Sequence, residues 1–213
     1  MRAACLTFEL VSQYFAIHPT NPQQRLIRRA AELIGTGGLA VLPTDTVYTL
    51  ACRVGDPKAV AAVRRLRRLS DRHLLTLMCQ DLSDLATYAR VDNSHYRILK
   101  AYTPGPFTFI LQATREMPRK LVHPKRKTVG IRVPDHPICQ QLLDTLGEPL
   151  LVTTMQLPED DEAITDPELA RDRLMGRVDV IIDGGPCGFV HTTVVDLTEP
   201  VPEVLRPGLG EFP

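Results

Sequence analysis

The sequence has no net charge to offer, since 25 Lys and Arg balance 25 Asp and Glu. That removes the whole-chain attraction on which non-specific binding to nucleic acid rests. Its five cysteines (Cys5, Cys52, Cys79, Cys139, Cys187) form no C-x-x-C pair and have no histidine at metal spacing. A disulfide frame and a zinc site are therefore not expected, and reduced thiols in a cytoplasmic protein are. No apolar run approaches membrane-spanning length, so no membrane partner is expected. The opening MRAACLTFELVSQYFAI has one arginine and an apolar run broken by Glu9. Residues 1–11 read as an extension leading into a strand, not as a signal peptide.

The compact signatures of nucleotide and hydrolase chemistry are also missing. Neither G-x-x-x-x-G-K-[ST] nor G-x-G-x-x-G opens a helix, and no G-x-S-x-G, H-E-x-x-H or kinase signature occurs. A bound nucleotide would have to be held by scattered polar side chains. There is no repeat, linker or low-complexity run, and 213 residues with 44% hydrophobic content can bury a proper core. One domain over 1–213 is the expectation.

What is present is alternation of strand and helix signals. Asn21-Pro22, Asp56-Pro57 and Asp166-Pro167 read as helix starts, Asp81 and Asp92 as further caps, and Gly147 as the stop of a helix from His136 to Leu146. Between them lie apolar runs read as strands: Leu39–Leu42, Leu74–Met78, Phe107–Leu111, Thr128–Pro134, LLVTT, VDVIID, TTVVDL and PEVLR. Helices between strands predict an α/β fold with helices packed on a mixed sheet, and consecutive strands near the C-terminus predict an antiparallel part.

Hydroxyls and arginines recur where strands are predicted to end. LAVLPTDTVYTLACR (Leu39–Arg53) sets Thr44, Thr46 and Tyr48 behind an apolar strand. A turn explains this, because Pro43 ends ladder pairing and Thr and Asp bond their own backbone. A pocket wall is the alternative, because open α/β sheets bind ligands beyond strand ends. Arg132, Thr154, Thr192, Thr193 and Arg206 sit at comparable positions. Hydroxyls there would suit an amino acid or sugar, and arginines a carboxylate or phosphate. Two basic blocks stand apart: Arg64, Arg65, Arg67, Arg68, Arg72 and His73 form one, and Arg115 to Arg132 hold the other, with Lys125, Arg126 and Lys127 at its centre. Either a solvated face or a phosphate-bearing partner accounts for them, although aromatics for base stacking are scarce nearby.

Five ordered motifs carry a resemblance. PTDTVYTLACR is similar to the PTETVYGLG motif of the threonylcarbamoyl-AMP synthases, the YrdC/YciO superfamily. TPGPFTFIL resembles its PGPLTLIL, TVGIRVPDHP its V-x-[IV]-R-x-P-x-[HN]-P, HTTVVDL its STIVD and VLRPG its LRxG ending. The resemblance runs from about Gln24 to Gly208. It implies a single YrdC-like domain, a twisted mixed sheet flanked by helices with a basic concave face.

It also implies an activity: joining L-threonine, bicarbonate and ATP, the last with its Mg2+, into threonylcarbamoyl-AMP and pyrophosphate for tRNA modification. Carried over by position, Thr44, Thr46, Tyr48 and Arg67 would line the threonine pocket. Arg132, Thr154, Gln156, Thr192, Thr193 and Arg206 would hold the nucleotide.

Two motifs depart from that pattern. The synthases' K-x-R reads Arg67-Arg68-Leu69 and their S-x-N reads Thr154-Met155-Gln156, both closer to the YciO branch. Reduced synthase activity is one expectation. RNA or ribosome binding through Arg64, Arg65, Arg68, Lys125, Arg126 and Lys127, with double-stranded RNA or tRNA as partner, is a second. Hydrolysis of threonylcarbamoyl-AMP or a related adenylate is a third, with Asp45 as its acidic candidate.

Overall fold

The computed structural model describes residues 11–213, and the predicted extension, Cys5 included, lies outside them except for Val11. Ten strands make one mixed sheet. In chain order they are β1 (Gln13–Ala16), β2 (Ala40–Leu42), β3 (Thr49–Arg53), β4 (Thr76–Met78), β5 (Phe107–Gln112), β6 (Thr128–Arg132), β7 (Leu150–Thr154), β8 (Val180–Asp183), β9 (Thr193–Asp196) and β10 (Glu203–Arg206). The helices are α1 (Gln24–Gly35), α2 (Pro57–Arg67), α3 (Leu82–Tyr88), α4 (Asn93–Tyr102), α5 (Pro137–Leu146) and α6 (Pro167–Leu174). Across the sheet the order is β1-β8-β2-β3-β7-β4-β6-β5-β9-β10. The pairs β2/β3, β3/β7, β4/β7, β5/β6 and β9/β10 are antiparallel, and the others are parallel.

Capping chemistry starts four of the helices where the sequence predicts. Asp56 accepts the N–H groups of Lys58 and Ala59 at 2.9 and 3.1 Å, and Asp81 accepts that of Asp84 at 2.8 Å. Asp92 accepts from Ser94 and His95, and Asp166 from Glu168. Each side-chain oxygen satisfies an otherwise unpaired first-turn donor. Helix α1 differs. Its N-cap is Gln23, not Asn21, and no side chain caps it. The His18 ring accepts the N–H groups of Thr20 and Asn21, which holds that stretch as a turn and delays the helix.

A second difference matters more for function. Thr49–Arg53 is a strand that the hydroxyl-rich sequence conceals. Its register with β2 is Ala40↔Ala51, Val41↔Leu50 and Leu42↔Thr49, so residues 43–48 are a hairpin loop, not the end of a parallel strand.

One face of the sheet is covered as far as β9, leaving the edge strand β10 exposed. Leu50, Leu77, Phe109, Leu111, Ile131 and Val195 are buried there in a single core, with Ala59 and Val63 of α2, Leu85, Leu99 and Leu174 from the other helices. The opposite face is covered at one end only. Ile27, Ala30 and Ile34 of α1 and Ile138, Leu142 and Leu143 of α5 pack against Leu42, Ala51, Met78, Val152, Val180 and Ile182. Burying each Leu or Ile contributes about 1.5–3 kcal/mol relative to exposure. Beyond β7 and β4, that covering stops.

Candidate functional site

Where α1 and α5 end, alternate residues of β3, β7, β4, β6 and β5 continue along the same face as hydroxyls instead of aliphatics. Side chains two apart on a strand share a face. Thus Thr49 precedes Ala51, Thr154 follows Val152, Thr76 precedes Met78, and Thr128, Gly130 and Arg132 lie in line on β6. These threonines, Gly130 and Arg132 line a cleft of about 430 Å3, open on one side. The site is on the sheet face, not beyond the strand ends as the sequence suggests, because β3 and β7 are antiparallel partners whose hydroxyl ends meet at Thr49↔Thr154.

Four guanidinium groups enter from four directions. Arg67 comes from the last turn of α2, Arg126 from the loop before β6, Arg132 from β6 and Arg206 from β10. Arg132 is bonded to Asp45 of the hairpin loop, and with only 7% and 10% of their side chains exposed the pair is desolvated. Arg126 reaches Asp196 at 3.4 Å while staying exposed.

The other two cations are uncompensated. Arg67 and Arg206 have no carboxylate within salt-bridge distance among the described residues. Burial lowers the pKa of the half-buried Arg67 from the usual arginine value, and partial desolvation moves Arg206 the same way although much of that residue stays exposed on β10. Arg206 donates to the carbonyl and hydroxyl oxygens of Thr192 at 3.0 and 3.1 Å, and Thr192 meets the Thr108 hydroxyl at 3.0 Å. That network fixes the edge of the cleft.

Polar atoms without partners gather here. Among the described residues, five buried side-chain atoms lack a hydrogen bond, and four of them are Asp45 Oδ2, Arg67 Nε, Arg132 Nε and His136 Nδ1. A buried unpaired polar group costs about 1–3 kcal/mol, so native structures place few of them without a reason. His136 has its pKa lowered, chiefly by burial, which disfavours its charged form against the opposing pull of Asp45 and Asp135. His73 and His191, unlike His136, line the cleft. Desolvation lowers both, helped at His73 by Arg67 and Arg64 and at His191 by Arg206.

The residues singled out in the sequence divide between site and scaffold. Thr46, Arg67, Arg126, Arg132, Thr154, Gln156, Thr192 and Arg206 line the cleft. Thr44 instead organises the hairpin loop, donating to Val47 O at 2.7 Å and accepting from the N–H of Thr46. The buried Tyr48 donates to Gly185 O at 2.8 Å, and Thr193 donates to Gly210 O at 2.6 Å. Gln156 combines both roles, since its amide holds the carbonyls of Asp160 and Asp161.

Of the remaining basic residues, Arg64 bonds Ser70 O, Arg65 is exposed, and Arg68 adopts φ 50° as the C-cap of α2. Lys125 and Lys127 are exposed beside Arg126, where the His123 ring accepts the N–H groups of Lys125 and Arg126. None of these five lines the cleft. Leu69, at the altered motif, packs against the core. Sequence reasoning missed Thr49, Thr76, Thr108, Thr128 and His123 as lining residues. The available signal was period-two alternation of hydroxyl with aliphatic in FTFIL and TVGIR. Among the described residues no group of three His, Cys, Asp or Glu side chains suits a metal ion, and no helix is long and apolar enough to cross a membrane.

Comparison with known proteins agrees with this arrangement. A family model, Sua5/YciO/YrdC, described as telomere recombination, matches residues 32–208. The chain belongs to that family. It is 51% identical over 201 residues to the uncharacterized protein YciO of Escherichia coli K12, covering 94% of this chain and 98% of that one. The crystal structure of E. coli YciO superposes with a TM-score of 0.89 over 94% of this chain and 97% of that one, at 52% identity. A threonylcarbamoyl-AMP synthase of Bos taurus is 32% identical over 200 residues, 88% of this chain and 71% of the relative. P. abyssi Sua5, crystallised in complex with L-threonine, gives a TM-score of 0.84 at 28% identity, covering 92% of this chain and 58% of that longer one.

Proposed function

We propose that the cleft binds ATP and L-threonine and, with bicarbonate, forms threonylcarbamoyl-AMP, pyrophosphate and water. The observation that carries this reading is the convergence of Arg67, Arg126, Arg132 and Arg206 on a floor of threonine hydroxyls, with two of the cations lacking any acid among the described residues. A triphosphate supplies the missing negative charge, and each guanidinium can grip phosphate oxygens in two parallel hydrogen bonds. Magnesium arrives on the nucleotide as part of the substrate. The hydroxyls suit the small polar amino acid, and the L-threonine complex of P. abyssi Sua5 supports that assignment. The YciO protein and the synthases share this fold, so the shared shape alone does not choose between them.

The chemistry asks for positioning. The amine of L-threonine takes up carbon from bicarbonate as a carbamate, and a carbamate oxygen attacks the α-phosphorus while pyrophosphate leaves. Bringing two reactants together in a cationic cleft serves both orientation and charge stabilisation. Leu69 stands where the synthases' pattern has a cation, so turnover is expected to be slower than with a full cationic set, on the scale of about 10²–10³ for a lost electrostatic donor. For hydrolysis, Asp45 is engaged with Arg132 and is better suited to hold that guanidinium than to activate water. RNA contact through Lys125 and Lys127 is the second reading, favoured by their exposure beside the cleft loop.

The test is direct. Purified protein is incubated with L-threonine, bicarbonate and magnesium ATP, and threonylcarbamoyl-AMP and pyrophosphate are followed together. Product formation that requires all three substrates is expected. ATP binding without product would refute the synthase reading and leave a nucleotide-binding cleft.

A further inference from the structure

Gly130 lies mid-strand in β6, between Thr128 and Arg132 on the cleft face, and its residue lines the cleft. Its backbone does not adopt the positive φ that would demand glycine. Nor does packing demand it. A Cβ there would stand 3.5 Å from Thr108 Cγ2 and 3.7 Å from Thr76 Oγ1, ordinary van der Waals distances. At Gly184, by contrast, a Cβ would come within 2.7 Å of Ile138 Cδ1, and at Gly208 within 2.4 Å of His191 O, so close packing accounts for those glycines. Glycine in a strand interior weakens the strand, and without a bulge or bend the remaining cause is close approach of another group to the backbone. At Gly130 the only side from which a group can approach is the open cleft.

The surroundings indicate what approaches. Strand β6 is interior, flanked by β4 and β5, so its backbone N–H groups are committed to the sheet and offer little to a phosphate. Its register partner on β5 is Ile110, and Val152 lines the cleft nearby, so the patch around the glycine is partly apolar. Thr49 donates to Thr153 O and Thr108 pairs with Thr192, whereas the hydroxyls of Thr76, Thr128 and Thr154 have no partner among the described residues. A flat, weakly polar surface rimmed by available hydroxyls fits an uncharged planar ring whose edge carries donors and acceptors, better than it fits a charged phosphate.

We propose that Gly130 is the floor on which the nucleobase ring lies, with the Thr76 and Thr128 hydroxyls meeting the ring edge. This rests on the reading of the cleft as an ATP site. It assigns the cleft a specificity-determining position: a side chain at residue 130 lifts the ring off the strand while the arginines keep their hold on the phosphates.

The experiment compares ATP with inorganic tripolyphosphate by calorimetry in the wild type, Gly130→Ala, Gly130→Val and Thr76→Val, with thermal melting of each. The ratio of ATP to tripolyphosphate affinity is expected to fall about tenfold or more in Gly130→Val, and less in Gly130→Ala, the scale set by overpacking a filled site. Melting of Gly130→Ala is expected to be no lower than wild type. If Gly130→Val does not fold, Thr76→Val, which removes a hydroxyl at nearly constant volume, decides through the same ratio. An unchanged ratio in folded variants overturns the proposal, whether both affinities fall together or neither moves. A wild type that binds neither probe overturns the ATP-site reading itself, and that result is distinguishable because it needs no variant.

Discussion

The two ends of one sheet face teach how this chain divides stability from function. At the β8-β2 end, alternate strand residues are Ala40, Leu42, Val180 and Ile182, sealed beneath α1 and α5. At the β6-β5 end, equivalent alternate positions are Thr128, Gly130, Arg132 and Thr108, and no helix covers them. The backbone pattern is the same in both. What differs is that aliphatic side chains gain from being covered, whereas hydroxyls and unpaired guanidinium groups would lose hydration without compensation. The open end is therefore stable only as a surface that meets water or a polar ligand.

Substitutions sharpen this contrast, beginning with the one residue that belongs to both roles. Arg132→Ala leaves Asp45 buried without its cation, and breaking such a pair costs about 3–5 kcal/mol. Both stability and ATP affinity are expected to drop. Adding Asp45→Asn should recover part of the stability but not the binding, as urea unfolding and calorimetry on the single and double variants will report.

At the covered end, Leu142→Ala removes a fully buried side chain of α5 and should cost about 2–5 kcal/mol in denaturant unfolding. Ligand affinity of the folded fraction should stay unchanged. A large change in ATP binding would show that the two ends are not independent.

At the open end the balance inverts. Arg206→Ala removes a cation without an acid partner among the described residues together with its two bonds to Thr192, so stability should fall by no more than about 1 kcal/mol, while ATP affinity drops by about 1.5–3 kcal/mol, the worth of a charge-assisted hydrogen bond. Thr154→Val is the mildest of these changes. It should shift stability by no more than about 0.5 kcal/mol and weaken ligand binding by roughly the net 0.5–1.5 kcal/mol of one hydrogen bond.

Acidity offers a smaller effect with a definite sign. His73 and His191 have depressed pKa values in the folded protein, through desolvation and neighbouring arginines. Their contribution to stability is complete above the ordinary histidine value, about 6.5, and is lost as pH falls from there through the folded values. A bound polyphosphate opposes that depression, so ATP affinity should rise modestly between pH 7.5 and 6 while thermal stability of the free protein declines. Affinity that falls over that interval would rule out protonation of these rings on binding.

Much of this was legible in the residues. The caps at Asp56, Asp81, Asp92 and Asp166, the Gly147 stop and the family resemblance all correspond to observed features. Strand β3 was not legible, because TVYTLACR mixes hydroxyls with apolar residues and its pairing with β7 depends on partners far away in the chain, such as Thr154 opposite Thr49. The cleft was half legible for the same reason. Arg132 and Arg206 stand out as arginines at the ends of predicted strands, whereas Thr76 and Thr108 look like ordinary strand residues until the register places them beside Gly130. Thr44 and Tyr48 show the converse: a family motif marks them, yet in this chain their hydroxyls bond the hairpin loop and Gly185.

The central claim is that the open end of the face is held unpaired for an anionic nucleotide. It is tested most directly by titrating magnesium ATP into the wild type and an Arg67→Ala, Arg206→Ala double variant, with thermal melting of both. The account predicts a loss of at least about a hundredfold in affinity, the scale of removing two charge-assisted contacts, with melting little changed. Equal affinity in the two proteins, or a double variant that melts well below the wild type, would contradict it.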